Sequence, residues 1–249
     1  SQFIYRSKPE IINTKWFQVL AWTSSMVMGL CGTLIIISIP LDFVRSILAI
    51  INEQTYLWFN SEFYLVIFIL SCAITAIGFA QAVVGPRIKN VELHVDNLNA
   101  AFKGVKIAQI SDLHVGPTIR KAYVNTVVKR TNAVNPDLIF VTGDLADAKA
   151  ESIKNYLAPL GELKARYGVF YVTGNHEYYW DALGLIACTK SLGFNVLLNE
   201  NKIITVNNQK ILIAGITDPV GAYFTPGHAP DIKKAMQSNS DAQLKILLR

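Results

Sequence analysis

The sequence predicts an α/β domain preceded by apolar helices that are long enough to cross a membrane. Residues 16–39 and 63–84 carry no charged side chain, and each stretch reaches the roughly 20 residues that span a bilayer. After residue 105, short apolar runs typical of buried strands alternate with segments of helical periodicity, and a hairpin-like pair of strands follows. Strand and helix alternation of this kind indicates an α/β sheet with antiparallel additions.

The first 89 residues are predicted to form a membrane region with two transmembrane helices, about 16–39 and 63–84. Pro40 is expected to end the first helix, and Gly85 with Pro86 the second. Residues 41–60 mix charged and apolar side chains at helical spacing, which favours an amphipathic segment at the membrane interface. A short third span over the same residues is the alternative. Residues 90–249 form the second predicted domain.

Charge in the short flanks predicts the orientation of a multi-pass protein in the cell membrane. The first span is preceded by Arg6, Lys8 and Lys15, and the second span is followed by Arg87 and Lys89. The connection between the spans carries only Arg45 as a positive charge, against three acidic residues. Because positive flanks stay on the cytoplasmic side, both ends of the pair and the following domain are predicted to be cytoplasmic.

The composition narrows the range of partners. Residues 86–249 hold 19 basic and 14 acidic side chains and thus supply the whole net charge of +5. That excess suits an anionic substrate or an anionic lipid surface, although an ordinary solvated face has the same composition. No basic run with interleaved aromatic residues is present, so nucleic-acid binding is not expected. The three cysteines form no disulfide or zinc pattern.

The elements of the second domain follow from periodicity and turn residues. Strands are predicted at 91–95, 106–110, 138–142, 169–172, 196–198, 203–206, 211–216 and 242–248. Helices are predicted at 122–133, 153–163, 183–192 and 230–236. The first strand alternates strictly and is expected to form an edge, and residues 207–210 have hairpin-turn chemistry.

Three of these strands end in side chains that bind metals or transfer protons. Asp112 and His114 follow the first core strand, Asp144 follows the second, and Asn175 with His176 follows the third. In open α/β sheets ligands bind at the carboxyl ends of strands. Side chains two positions apart can aim at one point, so a carboxylate and an imidazole there make half of a divalent-metal site.

The three motifs together resemble those of the calcineurin-like metallophosphoesterases. The matching stretches are Asp112-x-His114, Gly143-Asp144-x-x-Asp147 and Gly174-Asn175-His176-Glu177, and the resemblance covers residues 105–249. It implies an α/β/β/α sandwich, with two mixed sheets flanked by helices.

The resemblance also implies a dimetal site and a role for each of its residues. Asp112 and His114 would bind one metal ion, Asp144 would bridge two, and Asn175 would bind the second. His176 would act as a catalytic acid or transition-state donor without binding metal. The two divalent ions would be manganese, iron or zinc, since mixed oxygen and nitrogen ligands suit all three.

The activity implied is hydrolysis of a phosphate ester, phosphodiester or pyrophosphate bond by metal-bound hydroxide. The partners would be a phosphorylated substrate and membrane lipids. The predicted membrane spans suggest a lipid-linked substrate, for instance a phospholipid or a UDP-diacylglucosamine, because a tethered site meets such molecules at high effective concentration.

One departure from the family pattern favours a second hypothesis. The family completes its site with three further histidines, whereas the only other histidines here are His94 and His228. The last predicted strand is of the kind that precedes the first missing histidine, so the missing ligands are expected beyond Arg249 and the domain is interpreted as C-terminally incomplete. The alternative is a non-catalytic binding or scaffold module.

Several nearby residues have two interpretations each. Asp147 is expected either to hydrogen-bond a loop or to orient His114, and simple solvation is the alternative for both Asp147 and Glu177. Arg120 would bind a substrate phosphate or begin a helix in solvent.

Other polar and aromatic residues are expected to be structural. The aromatic run at 178–180 would wall a substrate site or pack in the core. His94 is expected to be structural and His228 to lie in a loop.

Overall fold

The computed structural model describes residues 9–52, 54, 61–237 and 241–249. The chain divides into two compact units. One is Lys15–Pro86; the other combines Arg87–Arg249 with the residues that precede Lys15.

The smaller unit is an antiparallel pair of helices, α1 (Lys15–Ile51) and α2 (Ser61–Val84). Trp22 contacts Phe79 edge-to-face with ring centroids 5.4 Å apart, and nearer the connection the Arg45 Nη1 donates to the Tyr64 hydroxyl at 2.6 Å. Both helices are long and apolar enough, by length and composition, to cross a membrane.

The prediction that Pro40 ends the first helix is wrong. α1 continues through Pro40 to Ile51, because a proline removes a single helical donor and the turns on either side still hydrogen-bond. Residues 41–51, which were predicted to belong to a separate segment at 41–60, therefore continue α1. Residues 53 and 55–60 of that segment lie outside the described part. At 1.5 Å per residue, α1 is about 55 Å long, well beyond the roughly 30 Å hydrocarbon layer.

The larger unit contains a four-stranded parallel sheet in the order β1-β2-β3-β4. Its strands are β1 (Ile107–Ile110), β2 (Leu138–Thr142), β3 (Val169–Val172) and β4 (Asn195–Val196). The helices that connect them are α3 (Lys121–Ala133), α4 (Ala150–Leu157), α5 (Asn175–Trp180) and α6 (Ala182–Ser191). Because every strand runs in the same direction, all four carboxyl ends lie at one edge.

A second sheet has three strands, β5 (Glu200–Val206), β6 (Gln209–Gly215) and β7 (Leu244–Leu248). The first two form an antiparallel hairpin, and β7 pairs parallel to β6. Asn207 and Asn208 turn the hairpin with φ of 47° and 63°, as a two-residue turn with positive φ at both positions requires. Two short helices, α7 (Gly221–Phe224) and α8 (Ile232–Met236), lie between β6 and β7.

The two sheets pack face to face over one apolar core. Its buried members come from both sheets and from the segment before β1: Phe102, Leu138, Phe140, Phe170, Val172, Leu197, Val206, Ile211, Ile213 and Leu248. Ala235 of α8 covers the outer face of the second sheet. The predicted sandwich of two sheets with flanking helices is confirmed, with one difference: among the described strands, the first sheet is wholly parallel rather than mixed.

Several predicted elements differ in detail. Residues 91–95 do not form a strand, because alternation fixes which side chains share a face but supplies no pairing partner. The helix predicted at 153–163 begins at Ala150 and gives way after Leu157 to a 3₁₀ helix at Ala158–Glu162. The short helices α5 and α7 were not predicted.

A candidate metal centre at the edge of the parallel sheet

The loops that follow β1 and β2 remain hydrogen-bonded to each other past the ends of the strands. The amide of His114 donates to the Asp144 carbonyl at 2.9 Å, and that of Val115 donates to the Leu145 carbonyl at 2.9 Å. The Asp147 amide in turn donates to the Val115 carbonyl at 2.9 Å. This pairing fixes the backbone of both motifs, so their side chains are held at a defined separation.

Three site candidates have left-handed backbone conformations. Asp112, His114 and Asp144 have φ of 55°, 50° and 51°, and every other non-glycine residue with positive φ in the described part of the chain is an asparagine. Such conformations cost on the order of 1–3 kcal/mol each and persist only where the surroundings enforce them. The side chains are thus aimed by turns in the loop rather than by the strand alternation that the sequence suggested.

These three side chains converge on one point. Asp112, His114 and Asp144 each offer a ligand atom, and these atoms all lie within 4.8 Å of one another. A second group, formed by His114, Asp147 and His176, meets the same criterion. Carboxylate oxygens and imidazole nitrogens are a donor set that fits manganese, iron or zinc.

Asn175 lies against the same carboxylate. With its amide nitrogen turned toward Asp144, it donates to Oδ2 at 3.1 Å and to Oδ1 at 3.0 Å. The backbone amide of His176 also donates to Asp144 Oδ1, at 2.9 Å. Because the amide can turn, its oxygen can instead face a cation beside Asp144. The structure therefore brings together all four residues that the sequence predicted as metal ligands.

Asp147 connects the two site histidines. Its Oδ1 lies 3.0 Å from His114 Nδ1 and 2.5 Å from His176 Nδ1, and the two rings meet edge-to-face with centroids 4.5 Å apart. A ring that donates from Nδ1 keeps its Nε2 free to bind a metal or to move a proton. Of the interpretations left open for Asp147, orientation of His114 is the one observed, and its contact with His176 was not foreseen.

The electrostatics of His114 follow from its neighbours. Burial by itself lowers the pKa of the ring, but the hydrogen bond and charge of Asp147, together with the charges of Asp144 and Asp112, outweigh it. The net pKa of His114 is raised. A cluster with this surplus of negative charge is one that a cation stabilises.

Glu177 is buried, not solvated, and it joins the loops after β2 and β3. Its Oε2 accepts from the backbone amides of Gly174 at 2.6 Å and Asp144 at 3.0 Å, and its Oε1 accepts from Leu145 at 2.6 Å. Burial raises the pKa of this carboxyl, and the amides of Gly174 and Leu145 oppose that shift only in part. The contact with Gly174 is local, between the N-cap and the third residue of α5, whereas only the fold brings the amides of Asp144 and Leu145 to the same carboxylate.

Two glycines allow these loops to touch. A Cβ added to Gly143 would lie 2.6 Å from the Gly174 Cα, and one added to Gly174 would lie 2.3 Å from Asp144 Oδ1. Gly143 also has φ of 74°. Only residues without a side chain let the backbone pass this close.

Arg120 is engaged in structural contacts. Its Nε donates to the Pro117 carbonyl at 3.1 Å, its Nη2 donates to the Ile12 carbonyl, and its guanidinium lies 4.9 Å from the ring centroid of Tyr156. Within the larger unit, these contacts hold Ile12 against the segment that carries Arg120. They favour neither a phosphate-binding role nor a solvated helix start.

The aromatic run after His176 has divided roles. Tyr178 is buried, whereas Tyr179 is partly exposed and contacts the His176 ring edge-to-face at 5.7 Å. His228 is in a loop, as expected, and its Nδ1 lies 2.9 Å from the Tyr178 hydroxyl. His94 is exposed, which does not favour the structural role predicted for it.

Comparison with known proteins places the chain in a family. The family model for calcineurin-like phosphoesterases matches residues 105–245, and the chain belongs to this family. The motifs, the convergent acids and imidazoles and all strands but the end of β7 lie within the matched part.

Three relatives show how the similarity is distributed. A bovine transmembrane protein with metallophosphoesterase domain is 33% identical over 187 residues, which cover 72% of this chain and 42% of that protein. An uncharacterized metallophosphoesterase of Campylobacter jejuni is 28% identical, and the aligned residues cover 99% of this chain and 64% of that protein. The UDP-2,3-diacylglucosamine pyrophosphatase LpxG of Chlamydia muridarum is 36% identical over 83 residues, 32% of this chain and 24% of that protein. The chain thus spans less than two thirds of the length of each.

Proposed function

We propose that the protein is a metal-dependent phosphoesterase that hydrolyses a phosphate ester, phosphodiester or pyrophosphate bond with two divalent ions. Asp112 and His114 would hold one ion, Asn175 the other, and Asp144 both. The observation that carries the proposal is the convergence of ligand atoms of Asp112, His114 and Asp144 within 4.8 Å of one another.

The geometry supports a distinct task for each residue. When bound, the divalent ions neutralise the charge of the phosphate group and acidify water. A ligand atom of Asp144 lies within 4.8 Å of those of Asp112 and His114, and the Asp144 carboxylate also contacts Asn175, so this carboxylate would serve both positions. Asp147 holds Nδ1 of His114 and leaves Nε2 for the metal.

His176 is assigned to proton or charge transfer. Asp147 holds its Nδ1, which leaves Nε2 available to donate to the departing oxygen of the substrate. Its backbone amide donates to Asp144, so the ring is positioned beside the carboxylate that would bridge the ions. An acid so placed raises turnover without taking part in metal binding.

Asp144→Asn in the intact protein tests the proposal. Hydrolysis of bis(p-nitrophenyl) phosphate is expected to fall by at least about 10³-fold, because a catalytic metal supplies several kcal/mol of transition-state stabilisation. Metal analysis should show the loss of at least one ion. Asp96→Asn, which makes the same change in an exposed turn, is the control and should retain activity.

Circular dichroism would verify that both variants are folded. Activity of Asp144→Asn within about threefold of the wild type would contradict the metal assignment. A wild-type protein that binds metal but hydrolyses no phosphoester would instead favour the non-catalytic binding module.

We also infer that the enzyme is membrane-bound and acts on a lipid-linked phosphorylated substrate from the cytoplasmic side. Two helices of span-forming length precede the domain, and relatives include one named as transmembrane and one named as a UDP-2,3-diacylglucosamine pyrophosphatase. Faster hydrolysis of a diacylated nucleotide sugar in micelles than of its unacylated counterpart would support the lipid preference; equal rates would contradict it.

Protease treatment of right-side-out membrane vesicles tests the sidedness. The domain, detected by antibody, is expected to survive until the vesicles are lysed, because the positive flanks keep it inside. Digestion of the domain in intact vesicles would require an external active site.

A further inference from the structure

A closed loop from the second sheet contacts the helix that carries His176. The loop runs from Thr217 to Asp231, contains α7, and is called here the 217–231 loop. The buried side chain of Asn199 joins its two ends: Oδ1 accepts from the Thr217 amide at 3.4 Å at the start of the loop and from the Asp231 amide at 2.9 Å at its end. Its Nδ2 also donates to the Ala229 carbonyl at 2.8 Å. The Thr217 hydroxyl closes the loop by donating to the His228 carbonyl at 2.8 Å.

The 217–231 loop is fastened to α5, the helix that carries His176. The Tyr178 hydroxyl lies 2.9 Å from His228 Nδ1 and 3.0 Å from the Thr173 hydroxyl. Burial raises the pKa of Tyr178 and lowers that of His228, and both shifts favour the uncharged form of the side chain. A Cβ on Gly221 would lie 2.7 Å from the Tyr178 ring, so the approach is as close as glycine permits.

This anchoring places the ring of Phe224 against Tyr179, and Tyr179 in turn contacts His176, the candidate catalytic acid. His176 contacts Tyr179 with centroids 5.7 Å apart, and Tyr179 contacts Phe224 with centroids 5.7 Å apart. Phe224 nevertheless leaves 55% of its surface exposed. The neighbouring Tyr223 is 87% exposed and thus points largely into solvent.

We propose that Phe224 and Tyr179 form an apolar wall of the substrate site and select phosphoesters that carry an apolar group beside the phosphate. The proposal rests on the proposed phosphoesterase function and deepens it. Substrate sites combine a few polar groups with a larger apolar lining, and around His176 the rings of Tyr179 and Phe224 supply such a lining. An apolar group that covers Phe224 removes its exposed ring from water, which favours the substrate that bears it.

The contacts favour a substrate group over a membrane surface as the occupant. The ring contacts lead from Phe224 to His176, the residue assigned to the departing oxygen, whereas a membrane anchor would need no connection to the reacting groups. The hydrogen bonds at both ends of the loop and at Tyr178 hold Phe224 in place, as discrimination between substrates requires.

Two soluble diesters with the same leaving group test the wall: methyl p-nitrophenyl phosphate and hexyl p-nitrophenyl phosphate. The readout is the ratio of kcat/KM for the hexyl ester to that for the methyl ester. Phe224→Ala is expected to lower this ratio about tenfold, in line with the discrimination that hydrophobic pockets achieve. Phe224→Leu, which keeps an apolar side chain, should retain most of the wild-type ratio.

Tyr223→Ala is the matched control, because it removes a neighbouring aromatic ring from the same helix. Its ratio should equal that of the wild type.

An unchanged ratio in Phe224→Ala, or an equal loss in Tyr223→Ala, would overturn the inference while leaving the phosphoesterase function in place. Weaker binding of Phe224→Ala to anionic phospholipid vesicles with an unchanged ratio would assign the surface to the membrane and likewise overturn it. Failure of the wild type to hydrolyse either ester or any other phosphate ester, phosphodiester or pyrophosphate would overturn the proposed function itself and the wall with it.

Discussion

The two sheets contribute different kinds of side chain to the candidate site. The parallel sheet presents acids, imidazoles and an amide at its carboxyl edge, from the loops that follow β1, β2 and β3. The second sheet contributes the 217–231 loop, which brings aromatic groups and hydrogen bonds. α5 joins the two contributions, since it carries His176 and also Tyr178 and Tyr179.

This division suggests that the first sheet determines the chemistry and the second the choice of substrate. A parallel sheet is suited to the first task, because it gathers every carboxyl end at one edge. An antiparallel hairpin sends successive carboxyl ends to opposite edges, so of β5 and β6 only β6 has its carboxyl end on the side of the 217–231 loop. If the comparison is right, changes in the first sheet should affect turnover, and changes around the second should affect selectivity.

The largest effect is expected for His176→Ala. Turnover should fall about 10²–10⁴-fold, as is typical when a positioned acid is removed, with metal content nearly unchanged. Steady-state kinetics and metal analysis on the same preparation measure both. His94→Ala, which removes an exposed histidine elsewhere, should be neutral. Loss of one ion from His176→Ala would identify His176 as a metal ligand and contradict its assignment to proton or charge transfer.

Glu177→Gln should have an intermediate effect, chiefly on stability. The glutamine would direct an N–H group toward at least one backbone amide that now donates to the carboxylate, which costs about 1–3 kcal/mol. Denaturant unfolding measures the loss, and weaker metal binding should accompany it because the Asp144 loop is released. Glu151→Gln on the exposed face of α4 is the matched control. Unchanged stability would show that the three amides are satisfied in another way.

The smallest effect on turnover is expected for Asn199→Ala. The change removes the contacts of Asn199 with Thr217 at one end of the 217–231 loop and with Asp231 at the other, so the ratio for hexyl over methyl esters should fall, while kcat for the methyl ester stays within about twofold. Asn208→Ala is the control, since it places alanine at a similarly positive φ in the β5–β6 turn. A large fall in kcat with an unchanged ratio would show that the loop supports the chemistry instead.

The sequence by itself determined which candidate ligands follow which strands and most of the elements. Each ligand candidate follows an apolar strand, and the parallel sheet brings them together as predicted. Apolar runs likewise predicted two long helices. What they could not determine was the end of α1, because a single proline removes only one hydrogen bond and the residues beyond it still favour helix.

The tertiary structure alone decided how the site is held and what surrounds it. Asp147 contacts two histidines, Glu177 accepts from three amides, and Phe224 reaches His176 through Tyr179. Each of these sets includes a contact between residues at least 29 positions apart in the chain. Strand periodicity and motif spacing describe only local order, whereas these contacts depend on how separate loops pack, and packing is fixed by the whole core rather than by any one segment.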